Sequence, residues 1–243
     1  MKRHDGRAPE DIRPIRIERQ FTTAAPGAVL YHSGKTIVYV TATIDERVPP
    51  WMSGRGSGWI TAEYAMLPGS TGQRKSRPSS TGRVDGRTHE IQRLVGRALR
   101  SVVDMGALGE RTIWLDCDVL QADGGTRTAS INAAYVALCD ALRTYAFKKP
   151  LKKWPVEEAV GAMSVGVVGN HPVVDLDYKE DHKAAVDMNV VMTASGRFLE
   201  VQGTGEARPF TEEELHQMLG LARGGIEQAL ETTRQALAQP IGS

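Results

Sequence analysis

The chain has 243 residues, 41% of them hydrophobic and 24% charged, with a net charge of +1. That balance excludes a disordered or collagen-like chain and provides enough apolar content for a sizeable core, in one domain or two tightly fused halves. No long apolar run or signal-like segment is present, and Cys117 and Cys139 both sit in apolar-patterned stretches. The expectation is a cytoplasmic protein, not held in a membrane, with buried thiols.

In chain order, Met1 to Pro14 is polar and turn-rich and reads as a surface segment. Alternating runs over 15–19, 28–32 and 36–44, the last two joined by Ser33-Gly34-Lys35, predict an antiparallel meander. Pro49-Pro50 and three glycines make 45–58 a loop, and 59–66 is a fourth strand. Residues 67–86 are rich in Gly, Ser, Thr and Pro, with Arg74, Lys75, Arg77 and Arg83 interleaved. This irregular basic loop is either a solvated linker or an RNA-contacting segment, since spaced arginines suit a phosphate backbone.

From Arg87 the period changes. Ile91, Leu94, Val95, Ala98, Leu99, Val102 and Val103 predict an amphipathic helix that stops near Gly106. Arg87 stands at its N-terminus, where the helix dipole favours anions, so a bound anion would rationalise it. A strand follows over 111–120, with Asp116 and Asp118 on the face opposite Ile113, Leu115, Cys117 and Val119. These two acids read as structural partners for arginines or as supports for a site. After a glycine turn, Ile131, Ala134, Tyr135, Leu138, Leu142 and Tyr145 mark a second core helix.

Residues 147–155 form a basic, linker-like stretch. Two hairpins are predicted beyond it, 159–168 with 172–176 and 187–193 with 198–202. Thr211-Glu212-Glu213-Glu214 is a capping box, and Leu215 to Leu237 trace a long final helix. Four strands followed by a helix thus occur twice, an α/β (α+β) pattern.

Charge is unevenly spread. Residues 71–100 carry eight basic residues against Asp85 and Glu90, whereas 175–231 carry twelve carboxylates against five basic residues. A basic face for a polyanion and an acidic region for a cation would suit a nucleic-acid enzyme; solvated helix faces account for part of it equally well.

Two stretches concentrate the chemistry. Gln121-Ala122-Asp123-Gly124-Gly125-Thr126-Arg127-Thr128-Ala129-Ser130 joins a strand to a helix through paired glycines and then presents an arginine. Glycines admit positive φ and close approach, and a helix start adds unpaired N–H donors, so the turn is either an anion cradle or a tight turn with a surface arginine. The segment from Asp175 to Asp187 holds five carboxylates. Such density calls for an offsetting cation or arginines, and oxygen-only ligation suits Mg²⁺ or Mn²⁺; a solvated acidic loop is the alternative. His182, beside these acids, reads as an exposed loop residue.

With Gly86-Arg87-Thr88-His89-Glu90-Ile91-Gln92-Arg93-Leu94, Thr61-Ala62-Glu63-Tyr64, Asp187-Met188-Asn189-Val190-Val191-Met192 and Glu200-Val201-Gln202-Gly203-Thr204, the glycine turn gives the whole chain a specific pattern. It resembles the ribonuclease PH family, phosphate-dependent exoribonucleases that trim tRNA 3′ ends. The resemblance implies a single domain spanning 1–243 with a fold like domain 2 of ribosomal protein S5. It also implies a homohexameric ring of three dimers, with tRNA precursors and other RNA as partners.

Carried over by position, the resemblance implies a phosphate site at Arg87, Gly125, Thr126 and Arg127. Metal-binding acids are implied at Asp181 and Asp187, and RNA contacts at Arg74 and Arg77. Asp181, Asp187 and Arg127 would carry catalysis, with inorganic phosphate as co-substrate and Mg²⁺ or Mn²⁺ as cofactor. Relatives commonly carry Arg where this chain has Gly69 and often His where it has Gly72, and a more charged stretch replaces Pro78 to Thr81. The grip on tRNA is where these departures bear. Competing readings are a catalytically silent ring subunit, which would lose some of the four charged site residues, a hydrolytic nuclease, which would leave the glycine cradle unexplained, and a small-molecule kinase, which would need a second glycine loop.

Overall fold

The computed structural model describes residues 3–77, 80, 82 and 84–241. Pro78, Ser79, Thr81 and Arg83 of the basic loop lie outside the described residues. Among those described, nine strands and five α-helices form a mixed α/β fold with two sheets. No helix among them is long and apolar enough to cross a membrane.

The first sheet has the order β1 (Ile15–Arg19), β2 (Gly27–Ser33), β3 (Thr36–Asp45), β5 (Thr112–Gln121), β4 (Trp59–Met66). β1 to β3 pair antiparallel in sequence, as a meander does. The fourth strand does not extend it, because β5 inserts between β3 and β4, antiparallel to the first and parallel to the second. A parallel neighbour requires a crossover, and α1 (Gly86–Arg100) supplies it. Cys117 on β5 and Cys139 in the second core helix are both buried and free, as their apolar context predicts.

α1 ends at Arg100, short of Gly106. The buried, β-branched Val102 and Val103 leave the helix, and Val103 bridges to Val156. Asp104 then starts a separate turn, α2 (Met105–Leu108), by accepting from the Ala107 N–H.

α3 (Thr126–Lys148) lies between the sheets, packed on β2, β3 and β6 (Val160–Val168), and is buried on nearly every side over its first four turns. Asn132 fixes its height: its side chain donates to the Ala162 carbonyl at 3.0 Å and accepts from the Ala162 N–H at 2.8 Å. The second sheet has the order β7 (His171–Val174), β6, β8 (Ala184–Thr193), β9 (Phe198–Gly205). α5 (Glu212–Ala238) starts in the capping box at Thr211 and covers the far side of this sheet with Met218, Ala222, Ile226 and Ala229.

Strand alternation then sorts the second sheet's residues. Met163 and Val165 of β6, with Met188, Val190 and Met192 of β8, meet α5. Their neighbours Ala162, Ser164 and Gly166, paired with Val191, Asn189 and Asp187, turn toward α3. The apolar end of that face lies beneath the helix. The polar end lies where the helix begins.

The N-terminal segment runs along the surface as its polar composition predicts, but two of its side chains turn inward. Arg3 and Arg13 are 3% and 5% exposed, because each meets a buried carboxylate from the second half of the chain.

Candidate active site

The start of α3 and the polar end of the second sheet enclose a cavity of about 310 Å³. Arg87, Gly125, Thr126 and Arg127 line it on the first-half side, and Asp181 and Asp187 on the other. Six of the residues named from the sequence therefore meet in one place. Arg74 and Arg77 do not; both are exposed on the basic loop and neither lines the cavity.

Gly124 and Gly125 both take positive φ, +74° and +66°. At Gly124 the requirement is steric as well, since a Cβ would strike the Leu176 carbonyl and the Asp177 backbone. Gly125 is the N-cap of α3 and offers no side chain, so the first N–H groups of the helix are left uncapped at the cavity. The Thr126 hydroxyl forms part of the wall and accepts from the Tyr64 hydroxyl at 3.0 Å.

Arg127 is held loosely at its tip. Nη1 donates to Gln202 and Nη2 to Glu90, both at 3.4 Å, while Gln202 donates to Glu90 at 2.8 Å. Its Nε is buried with no hydrogen-bond partner among the described residues. An orphaned donor beside two arginines and the uncapped N–H groups of a helix start fits an anion. Arg87 shares a face of α1 with Glu90, one turn along.

Asp187 and Asn189 stand two apart on β8 and face the cavity together, opposite Gly166 and Ser164. Burial pushes the Asp187 carboxyl up to about 6, and the neighbouring Asp181 carboxylate adds to the rise while Arg127 opposes it. Asp181, exposed at the cavity's edge at the end of α4 (Tyr178–Asp181), is raised as well, by partial desolvation, with Arg87 and Arg127 opposing. Two adjacent carboxyls whose ionisation is disfavoured form an oxygen donor set suited to Mg²⁺ or Mn²⁺.

The other three acids of the acidic segment are held by partners within the chain, among them the offsetting arginines that the charge density calls for, and the solvated-loop alternative fails for them. Asp175 pairs with Arg13 at 2.6 Å, and Glu180 with Arg3 at 2.5 Å and Arg7 at 3.3 Å. Asp177 caps α4 and meets His4 at 2.6 Å. All three are buried rather than solvated, Asp175 and Glu180 offset by arginines from the N-terminal segment and Asp177 held by His4 and the helix start. His4, Asp177 and Glu180 form a tight cluster of potential metal ligands, but the arginines and the helix cap already occupy its carboxylates. His182 is exposed and stacks on Tyr178.

Asp116 and Asp118 have no arginine partner in an ion pair among the described residues. They lie half-buried beside Trp114 on the outer face of the first sheet, raised by desolvation. Reading the sequence missed Ser164, Asn189 and Glu206 as cavity residues, and Glu90 and Gln202 as partners of Arg127. For Asn189 a signal existed: on a strand, the residue two beyond Asp187 faces the same way.

The family model for domain 1 of the 3′ exoribonuclease family, RNase PH, matches residues 11–143. The model for domain 2 of the same family matches residues 158–225. The fold is similar to the crystal structure of rice (Oryza sativa) Rrp46, with a TM-score of 0.80 at 19% identity, covering 98% of this chain and 100% of that one. It is also similar to a chain of the Archaeoglobus fulgidus exosome with RNA bound to the active site, with a TM-score of 0.78 at 22% identity, covering 95% and 92%.

Proposed function

The chain belongs to the RNase PH family of 3′ exoribonucleases, and from that premise we propose that it is an active enzyme that shortens tRNA precursors from their 3′ ends by phosphorolysis. The reading is supported above all by the single cavity in which an uncapped helix start and two arginines face two crowded carboxylates.

In this proposal the N–H groups at the start of α3 bind inorganic phosphate, with Arg87 and Arg127 neutralising its charge. Arg127 Nε gains the acceptor it lacks. A phosphate oxygen attacks the last phosphodiester phosphorus in line, forming a P–O–P bond as the bond to the preceding nucleotide's 3′-oxygen breaks. The proton given up by dihydrogen phosphate ends on that 3′-oxygen. Products are a nucleoside diphosphate and an RNA one residue shorter. Asp181 and Asp187 would hold a Mg²⁺ or Mn²⁺ ion, which supplies charge neutralisation at the non-bridging oxygens. Asn189 and Ser164 form the polar floor that orients the scissile group.

Arg74 and Arg77 are the proposed contacts to RNA beyond the cavity. The proposed assembly is a cytoplasmic homohexamer of three dimers built from a single domain per chain, supported by family membership and by the exposed apolar surface of Trp114, Phe147 and Phe198. Because a phosphodiester is exchanged for a diphosphate linkage, the reaction is expected to run backwards. Incubation with RNA and ADP should lengthen the 3′ end and release one phosphate per residue added. RNA left unextended by ADP, while the forward reaction proceeds, would contradict phosphorolysis.

A further inference from the structure

Arg13 lies outside the cavity, 5% exposed, between the glycine turn and the acidic segment. Its guanidinium donates to Asp175 through Nε at 2.9 Å and Nη2 at 2.6 Å, and its own backbone N–H donates to Asp175 at 2.7 Å. The same side chain donates through Nη1 to the Asp123 carbonyl and through Nη2 to the Gly124 carbonyl at 3.5 Å. A Cβ on Gly125 would lie 3.1 Å from Nη2, so the guanidinium sits directly behind the cradle.

Two consecutive glycines form the most flexible backbone that a chain can offer, and a cradle so built is ordered only if something outside it fixes its peptide planes. In a trans peptide the carbonyl and the next N–H point in opposite directions, and the structure has no cis bonds among the described residues. Turning the Asp123 and Gly124 carbonyls toward Arg13 therefore turns the Gly124 and Gly125 N–H groups away from it. For Gly125, which lines the cavity, that direction is toward the phosphate position. Thr36 assists from the side, donating to the Gly124 carbonyl at 2.7 Å and accepting from the Asp123 N–H at 2.9 Å.

Asp175 completes the device. It holds φ at +54°, a conformation uncommon for a residue with a side chain, and it begins the segment that ends in Asp181 and Asp187. Arg13 thus touches the beginnings of both arms of the site, the anion cradle and the acidic arm, while its charge is neutralised by Asp175.

We propose that Arg13, paired with Asp175, is a positioning residue that aims the amides of the glycine cradle at phosphate and sets the cradle's place relative to the acidic arm. The proposal rests on the phosphate-binding reading of the cavity. It assigns a role in the reaction to a side chain that touches no substrate.

The test is calorimetric binding of inorganic phosphate to the full-length protein without RNA, for wild type, Arg13→Lys, Arg19→Lys and Arg127→Ala, with a melting temperature for each. Arg19 forms a comparable buried pair with Asp140 at 2.6 Å, away from the cavity, and controls for simple destabilisation. Lysine keeps the charge at position 13 but loses the planar fork that reaches carboxylate and carbonyls together. The expected result is phosphate binding weakened roughly tenfold or more in Arg13→Lys and unchanged in Arg19→Lys, although both melt earlier. Phosphate bound as in wild type by Arg13→Lys, or weakened equally by Arg19→Lys, would overturn the positioning role. Should Arg13→Lys not fold, Arg13→Gln combined with Asp175→Asn leaves no unpaired buried charge and carries the same expectation. Failure of the underlying reading looks different: wild type and Arg127→Ala would bind phosphate equally, or neither would bind it.

Discussion

Gln202 donates a hydrogen bond to Glu90 at 2.8 Å, tying the helix that carries Arg87 to the strand beside the one that carries Asp187. Both residues also contact the guanidinium of Arg127, so the bond braces the two halves of the chain around the cavity's central cation. Glu90→Ala should free Arg127 and raise the KM for phosphate about threefold to tenfold, the net worth of about one ordinary hydrogen bond, as suits a 3.4 Å contact, with a smaller change in kcat. Steady-state kinetics at varied phosphate checks this.

Arg127→Ala removes charge-assisted hydrogen bonds worth roughly 1.5–3 kcal/mol each. The phosphate requirement should rise by roughly ten- to a hundredfold while RNA binding without phosphate stays as it was. Unchanged phosphate dependence in this variant would remove Arg127 from the site.

Asp187 predicts a pH dependence in the metal-free protein. Its folded-state pKa, about 6, lies above the ordinary 3.8. Below about pH 4 the carboxyl is protonated in both states. Between there and pH 6 the unfolded chain releases the proton first, so the unfolded state binds fewer protons and stability falls as pH rises. In EDTA, Asp187→Asn should therefore match wild type near pH 4 and exceed it by up to about 3 kcal/mol above pH 7. Added Mg²⁺ should stabilise wild type and leave the variant unaffected. Denaturant titrations at the two pH values would expose a pH-independent difference, which would contradict the assignment.

How much of this was legible in the sequence depends on how local the signal was. β1 and β4 have the bounds their alternation predicts, and Thr211 caps α5 as its capping box predicts. The glycine turn announced itself because Gly124 and Gly125 need conformations few other residues adopt. The bonds of Arg3, Arg7 and Arg13 to Glu180 and Asp175 span more than 160 residues, and no local pattern encodes such a pairing. The same holds for β5, whose place between β3 and β4 is a property of the assembled sheet.

Gly69 offers a gain-of-function test. A Cβ there meets nothing within 4 Å and the position does not need positive φ, so a larger side chain fits. Gly69→Arg should tighten RNA binding and steepen its dependence on salt by about 0.7–0.9 in log–log slope, one added phosphate contact. Arg74→Ala with Arg77→Ala should shift both quantities the other way. Equilibrium binding across a salt series measures each; slopes equal to wild type would leave the basic loop without a role in RNA binding.

The central claim, phosphorolysis at this cavity, is tested most directly by product analysis on a 3′-extended tRNA precursor with Mg²⁺, run with and without inorganic phosphate. The account predicts nucleoside diphosphates, released only when phosphate is present. Nucleoside monophosphates released without phosphate, or no release under either condition, would contradict it.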